Sequence, residues 1–173
     1  MTSKNPGQDG NEQLSEANAA MTDQVELLSL SIAGQEYAID IMQVREIRNW
    51  SAPTPLPRTP DYVKGVINLR GTVLPVIDMT KRLGLPEDET RDRAVYVVVK
   101  DNDRLFGITV DGVSDILAVS KDALLKPPAL NDSETESCVS SLILEEDRMI
   151  RVLASSRLAP ENVGSAKEAS LTQ

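Results

Sequence analysis

Histidine is absent from the 173 residues, cysteine occurs once, and aromatic side chains make up 3% of the chain. Without imidazole there is no Ser-His-Asp triad, no Cys-His pair, no His-ligated metal centre and no proton shuttle near neutral pH. The single thiol, Cys138, forms neither an internal disulfide nor a thiolate zinc site. It points to a cytoplasmic protein with a buried, inert cysteine. Five aromatics (Tyr37, Trp50, Tyr62, Tyr96 and Phe106) and a net charge of −9 offer nucleic acid neither stacking platforms nor a basic field. No apolar run approaches the length of a membrane span, and the N-terminus lacks a charged-then-apolar export pattern, so no membrane insertion is expected.

The charge that is present is uneven. Residues 1–40 hold seven acids and one base, residues 45–82 hold three acids and seven bases, and residues 83–173 hold seventeen acids and ten bases. One basic island therefore stands in an acidic chain. Residues 1–22, rich in Ser, Asn, Gln and Gly, read as a disordered tail, as do residues 161–173. The ordered unit is expected over 23–160.

Within it the apolar period is mostly two. Leu28, Leu30 and Ile32 alternate with serines, then Tyr37, Ile39 and Ile41 follow a Gly-containing turn. Val66–Leu69 and Thr72–Ile77 flank Arg70-Gly71, and Val95–Val99 and Leu105–Val110 flank Asp101-Asn102-Asp103. Val113–Val119 follows Asp111-Gly112, which reads as a hairpin link, and Val139–Leu144 faces Met149–Leu153 across Glu145–Arg148. Nine or ten short strands predict an all-β fold. Helical signal is thin: Asp78 caps a short helix over Met79–Leu83, and Ser120–Leu125 predicts another. Ile41, Val44 and Ile47 recur at helical spacing, suggesting one turn among the early strands. The charged stretch 86–93 predicts the crossing between two small β lobes.

Residues suited to catalysis are few. Asp111 with Asp115, and Glu87-Asp88-Glu89, are the best paired-carboxylate candidates; a turn before Gly112 accounts for Asp111, and the acidic cluster lies in a loop. Asp101-Asn102-Asp103 opens like a calcium loop but lacks its glycine and distant glutamate. The glycines form no phosphate-cradling motif. No catalytic residue, cofactor site or metal site is assigned.

The basic island differs. Val44-Arg45-Glu46-Ile47-Arg48 sets charges between apolar anchors, and Pro53, Pro55, Pro57 and Pro60 then make a stiff extended connector. Arg70, at a hairpin tip, can offer its planar fork to a partner's carboxylate or carbonyl. Equally, Arg70 and Glu46 can form an internal surface pair, worth about 0–1 kcal/mol.

The blocks Y-A-I-D-I…V-R-E-I, P-x-L-P-R-T-P-x-Y-V-K-G-V-I-N-L-R-G-x-V-L-P-V-I-D and G-I-T-V-D-G-V-S-D-I-L resemble the CheW family of chemotaxis coupling proteins over Val25–Leu153. The resemblance implies two small five-stranded SH3-like β-barrels packed together, with a few short helices. It implies a non-catalytic adaptor whose partners are the regulatory domain of a CheA-type histidine kinase and the cytoplasmic hairpin tips of chemoreceptors. Carried over by motif, Val44, Glu46, Gly65, Asn68 and Arg70 lie in or beside partner-binding surfaces, the glycines serving close backbone passage. The same family serves non-flagellar pathways such as pilus motility. The C-terminal end departs from the pattern. Ser140-Ser141 stands where members often have glycine, Arg151 stands inside a strand, and Ser155-Ser156 replaces an apolar run with an acid. A nucleic-acid-binding barrel using the basic island, or an enzyme using the carboxylate pairs, are the rival classes.

Overall fold

The computed structural model describes residues 23–87, 95–128, 138–161 and 166–167. The expected tail at 1–22, and most of the one at 161–173, lie outside these. The strands are β1 (Gln24–Ile32), β2 (Gln35–Asp40), β3 (Val44–Asn49), β4 (Val63–Leu69), β5 (Thr72–Asp78), β6 (Val95–Asp101), β7 (Arg104–Val110), β8 (Gly112–Ser120), β9 (Val139–Glu145), β10 (Arg148–Leu153) and β11 (Ala166–Lys167). A short helix, α1 (Met79–Arg82), follows β5, and 3₁₀ turns cover Ile41–Gln43, Lys121–Ala123 and Ser155–Arg157. The Asp78 and Ser120 side chains cap α1 and the second 3₁₀ turn through the backbone N–H groups of Lys81 and Asp122.

The tight hairpins follow from local chemistry. Ala33-Gly34 and Arg70-Gly71 have positive φ at both central positions, and Asn102 and Glu146 have it at the first central position of the β6–β7 and β9–β10 turns. That backbone twist matches the twist of the strands it joins.

Two sheets result. One has the order β8-β1-β2-β10-β9; the other runs β11-β5-β7-β6-β3, with β4 added on β5. An isolated antiparallel bridge brings each sheet's two ends together. Leu125, just past β8, bridges to Leu142 of β9, and Thr54, past β3, bridges to Val66 of β4. The two barrels have the same topology, each with two antiparallel hairpins joined through one parallel pair (β2 with β10, β7 with β5). One barrel uses β3 to β7 in order. The other starts at β8, β9 and β10 and borrows β1 and β2 from the beginning of the chain, so an equivalent order is hidden from a linear search for repeats.

This corrects three expectations. The chain does not cross between lobes at 86–93, because β5 and β6 on either side belong to the same sheet. It crosses at the Ile41–Gln43 turn and again at Asp111. Nor does Asp111-Gly112 form a hairpin: β8 pairs with β1, not β7, with Gly112 opposite Ser31. The Asp111 carboxylate instead accepts the Ala33 N–H at 2.7 Å, holding the β1–β2 turn from a residue far along the chain. Part of the predicted C-terminal tail is also a strand, for Ala166 and Lys167 pair with Val73 and Thr72.

Both faces of the central strands are buried. Leu28, Leu30, Ile32 and Ile39 join Ile77, Val97, Val99, Phe106 and Ile108 in one cluster drawn from both barrels. Leu27, Ala38, Ile143, Ile150 and Val152 fill a separate cluster in the first barrel, and Leu69, Leu74 and Val98 one in the second. The divergent C-terminal segment is clamped onto the second barrel. Arg82 donates to the carbonyls of Arg157 (2.9 Å) and Leu158 (3.2 Å), and Arg104 donates to that of Ser156 (3.0 Å) while paired with Asp101. Ser155, where the family pattern is apolar, is buried and donates to Asp101. Arg151 is accommodated in its strand because its guanidinium lies over the Tyr37 ring, 5.7 Å from the centroid.

Candidate partner-binding site

The β4–β5 hairpin carries the predicted residues outward. Asn68 sits just before the turn, and its Oδ1 accepts the Gly71 N–H at 2.9 Å, which fixes the tip. Arg70 holds φ 51°, a left-handed backbone uncommon for a residue with a Cβ. Its Nη2 meets Glu46 Oε2, and Arg48 Nη1 reaches the other oxygen of the same carboxylate at 3.2 Å. The internal surface pair that the sequence offered as one reading of Arg70 is therefore present. The internal pair with Glu46 forms, yet the Arg70 side chain keeps 73% of its exposure against 24% for Glu46. One bond to Glu46 occupies one of its five N–H donors. At so exposed a site the pair contributes at most about 1 kcal/mol to folding. What it does is orient: Glu46 on β3 aims a guanidinium at the tip of β4–β5, leaving one positive charge in excess.

Arg70, Glu46 and Asn68 are thus brought together, whereas Gly65 and Val44 have other duties. Gly65 is buried at φ 144°, and a Cβ there would lie 2.1 Å from the Thr54 carbonyl oxygen. It admits the strand-closing bridge, in which Thr54 and Val66 exchange two backbone hydrogen bonds of 2.8 Å. Val44 is half-buried against the shared core. The sequence pattern made Ile47 an apolar anchor; the structure leaves it 48% exposed on β3, near the 51% exposed Trp50.

The carboxylates considered for catalysis are dispersed. Asp111 holds the β1–β2 turn, Asp115 is exposed on β8, and Glu87 pairs with Lys81 at 3.6 Å. Asp88 and Glu89 lie outside the described residues. Asp101 pairs with Arg104, so the Asp-Asn-Asp run is a hairpin turn and not a cation loop.

Residues 26–162 match the family model of the CheW-like domain. The chain belongs to the CheW-like family. It is 42% identical over 125 residues, 72% of this chain and 81% of the relative, to the chemotaxis protein CheW of Rhizobium meliloti. It is 34% identical over 127 residues, 73% of this chain and 81% of the relative, to that of Bacillus subtilis. The crystal structure of the scaffolding protein TtCheW from Thermoanaerobacter tengcongensis superposes with a TM-score of 0.72 at 27% identity, covering 80% of this chain and 89% of that one. CheW-like membership makes this chain a non-catalytic scaffold of chemotaxis and removes the enzyme reading.

Where this member of the CheW-like family departs from the common pattern, the changes converge in space. Ser140, Ser141, Ser155 and Ser156 line one cavity of about 260 Å³ with Asp40 and Gln43, beside the turn that joins the barrels. Sequence reasoning did not find this cavity; its only signal was that each serine stood where the family pattern has something else.

Proposed function

We propose that this chain is an adaptor that couples transmembrane chemoreceptors to a CheA-type histidine kinase. The tip of the β4–β5 hairpin, with Arg70 held out by Glu46 and flanked by Asn68, docks the regulatory domain of the kinase. A receptor's helical tip takes a separate seat beside the inter-barrel turn. The observation that carries the reading is the exposed Arg70 guanidinium, oriented by an ion pair that folding hardly needs, in a member of a chemotaxis scaffold family.

Function then follows from linkage. Holding kinase and receptor on one rigid body raises their effective concentration for each other. Any difference in contact between receptor states becomes a difference in kinase binding, reciprocally and without chemistry in the adaptor. Recruitment beneath membrane receptors follows from the receptor seat. No helix among the described residues is long and apolar enough to cross a membrane.

The test is Arg70→Ala, assayed by calorimetric titration against the kinase regulatory domain and by thermal unfolding. Affinity should fall about tenfold or more, as expected for losing a charge-assisted contact. The unfolding midpoint should stay within about 2 °C, since the pair with Glu46 is exposed. Unchanged affinity, or a loss matched by lost stability, would remove Arg70 from the interface.

A further inference from the structure

We propose that the edge of β5 beside the Arg70-Gly71 tip is a strand-addition site, covered in the free protein by this chain's own segment Ala166–Lys167. The cover competes with the kinase for the tip, so this inference rests on the docking reading given above. β5 has two edges. One is taken along its length by β4, from Leu69 opposite Thr72 to Val63 opposite Ile77. The other carries β7 only at Val76, Ile77 and Asp78. Pro75, with no N–H to donate, stands where that parallel ladder ends. Nearer the tip, Ala166 and Lys167 lie opposite Val73 and Thr72, on the edge that β7 leaves open.

The register identifies the groups involved. Leu69 and Thr72 close the two-residue turn, so Thr72 directs its N–H and C=O toward β4. Alternation then directs those of Val73 away from β4, toward Ala166. The edge thus offers one backbone donor and one acceptor, and recognises an extended strand by its main chain. Val73 is also the residue opposite Asn68, whose side chain fixes the Arg70-Gly71 turn. A partner that docks on the Arg70-Gly71 tip and extends over this edge of β5 meets the cover. A ladder two residues long opens readily, so partner and cover exchange by mass action.

The experiment uses the full chain. Ala166→Pro removes the donor opposite Val73 and leaves both barrels intact. Hydrogen exchange at the Val73 amide should quicken, with the thermal midpoint unchanged. Affinity for the kinase regulatory domain should rise roughly two- to tenfold, the equivalent of one net hydrogen bond. The converse variant, Val73→Cys with Ala166→Cys, puts two thiols at a cross-strand spacing a disulfide can span; Cys138 is buried and stays out of it. Oxidation should weaken kinase binding and reductant should restore it. Unchanged Val73 exchange in Ala166→Pro overturns the cover. Unchanged affinity in both variants, with Arg70→Ala still weakening the kinase, overturns the competition. If Arg70→Ala binds normally, the docking reading has failed instead, and with it the competition, while Val73 exchange still decides whether the cover exists.

Discussion

Gly65 and Arg70 lie five positions apart, and substitutions at them act in opposite ways. A methyl group on Gly65 would sit inside the Thr54 carbonyl, at a φ that side chains avoid, so the Thr54–Val66 bridge would have to open. Gly65→Ala should cost about 2–4 kcal/mol in denaturant unfolding. Any loss of partner binding should then track the unfolded fraction. At Arg70 the expectation is reversed: stability is kept and affinity is lost. Titration adds a third residue-scale expectation. Burial raises the Tyr37 pKa above 10.0, against a smaller lowering by Arg151, and burial raises that of Tyr96 despite its hydrogen bond to the Ser51 carbonyl. A folded pKa above the unfolded one means that the folded state keeps its phenolic proton longer. That stability is intact below pH 10 and is lost as the pH rises through the folded pKa. Tyr37→Phe should flatten the fall of the unfolding free energy above pH 10. An equally steep fall in the variant would assign the alkaline loss elsewhere. Arg70, Asn68 and Glu46 are legible in the sequence because a tip arginine and an Asn before a turn carry their chemistry locally. Gly65 is legible as a tight passage, but its neighbour Thr54 is not.

At the scale of elements, hairpins are legible and their partners are not. Alternating apolar residues on either side of Arg70-Gly71 or Asn102-Asp103 specify strand, turn and strand through local sterics. Asp111-Gly112 carries the same local chemistry, yet the strands on either side of it lie in different barrels. What decides is burial over long range: β8 gains more by covering β1 than by folding back on β7, whose neighbours β5 and β6 already flank it. Asp111 marks that switch, and its carboxylate has a structural use there. Asp111→Ala should lower stability by about 1.5–3 kcal/mol, the usual worth of a charged acceptor on a backbone N–H. The amides of the β1–β2 turn, Ala33 first, should exchange faster than those of the β4–β5 turn. Uniform exchange at both turns would leave Asp111 without this latching role. The C-terminal serines are illegible for a related reason. The partners of Ser155 and Ser156, Asp101 from β6 and Arg104 from β7, come from the other barrel.

For the whole molecule, the all-β class is legible from strand number and turn spacing and the two barrels from the family resemblance, while the assignment of strands to barrels is not legible in either. The largest apolar cluster belongs to neither barrel alone. Both barrels should therefore unfold together, in a single calorimetric transition whose van't Hoff and calorimetric enthalpies agree. Phe106→Ala, fully buried in that cluster, should lower the whole transition by about 3–5 kcal/mol and not split it. Two resolved transitions would mean that the barrels stand independently. The order in which strands join the barrels also sets a timetable. The barrel of β3 to β7 is complete once Val110 has been translated, but β1 and β2 wait for β10, which ends at Leu153. At roughly 5–20 residues per second, the nascent N-terminal hairpin waits on the order of ten seconds for its last neighbour. A lone hairpin is barely stable in water. Leu27 and Ala38, whose cluster is closed only by Ile143, Ile150 and Val152, are thus on offer to chaperones, or to a neighbouring ribosome's product, for longer than the core of the β3–β7 barrel.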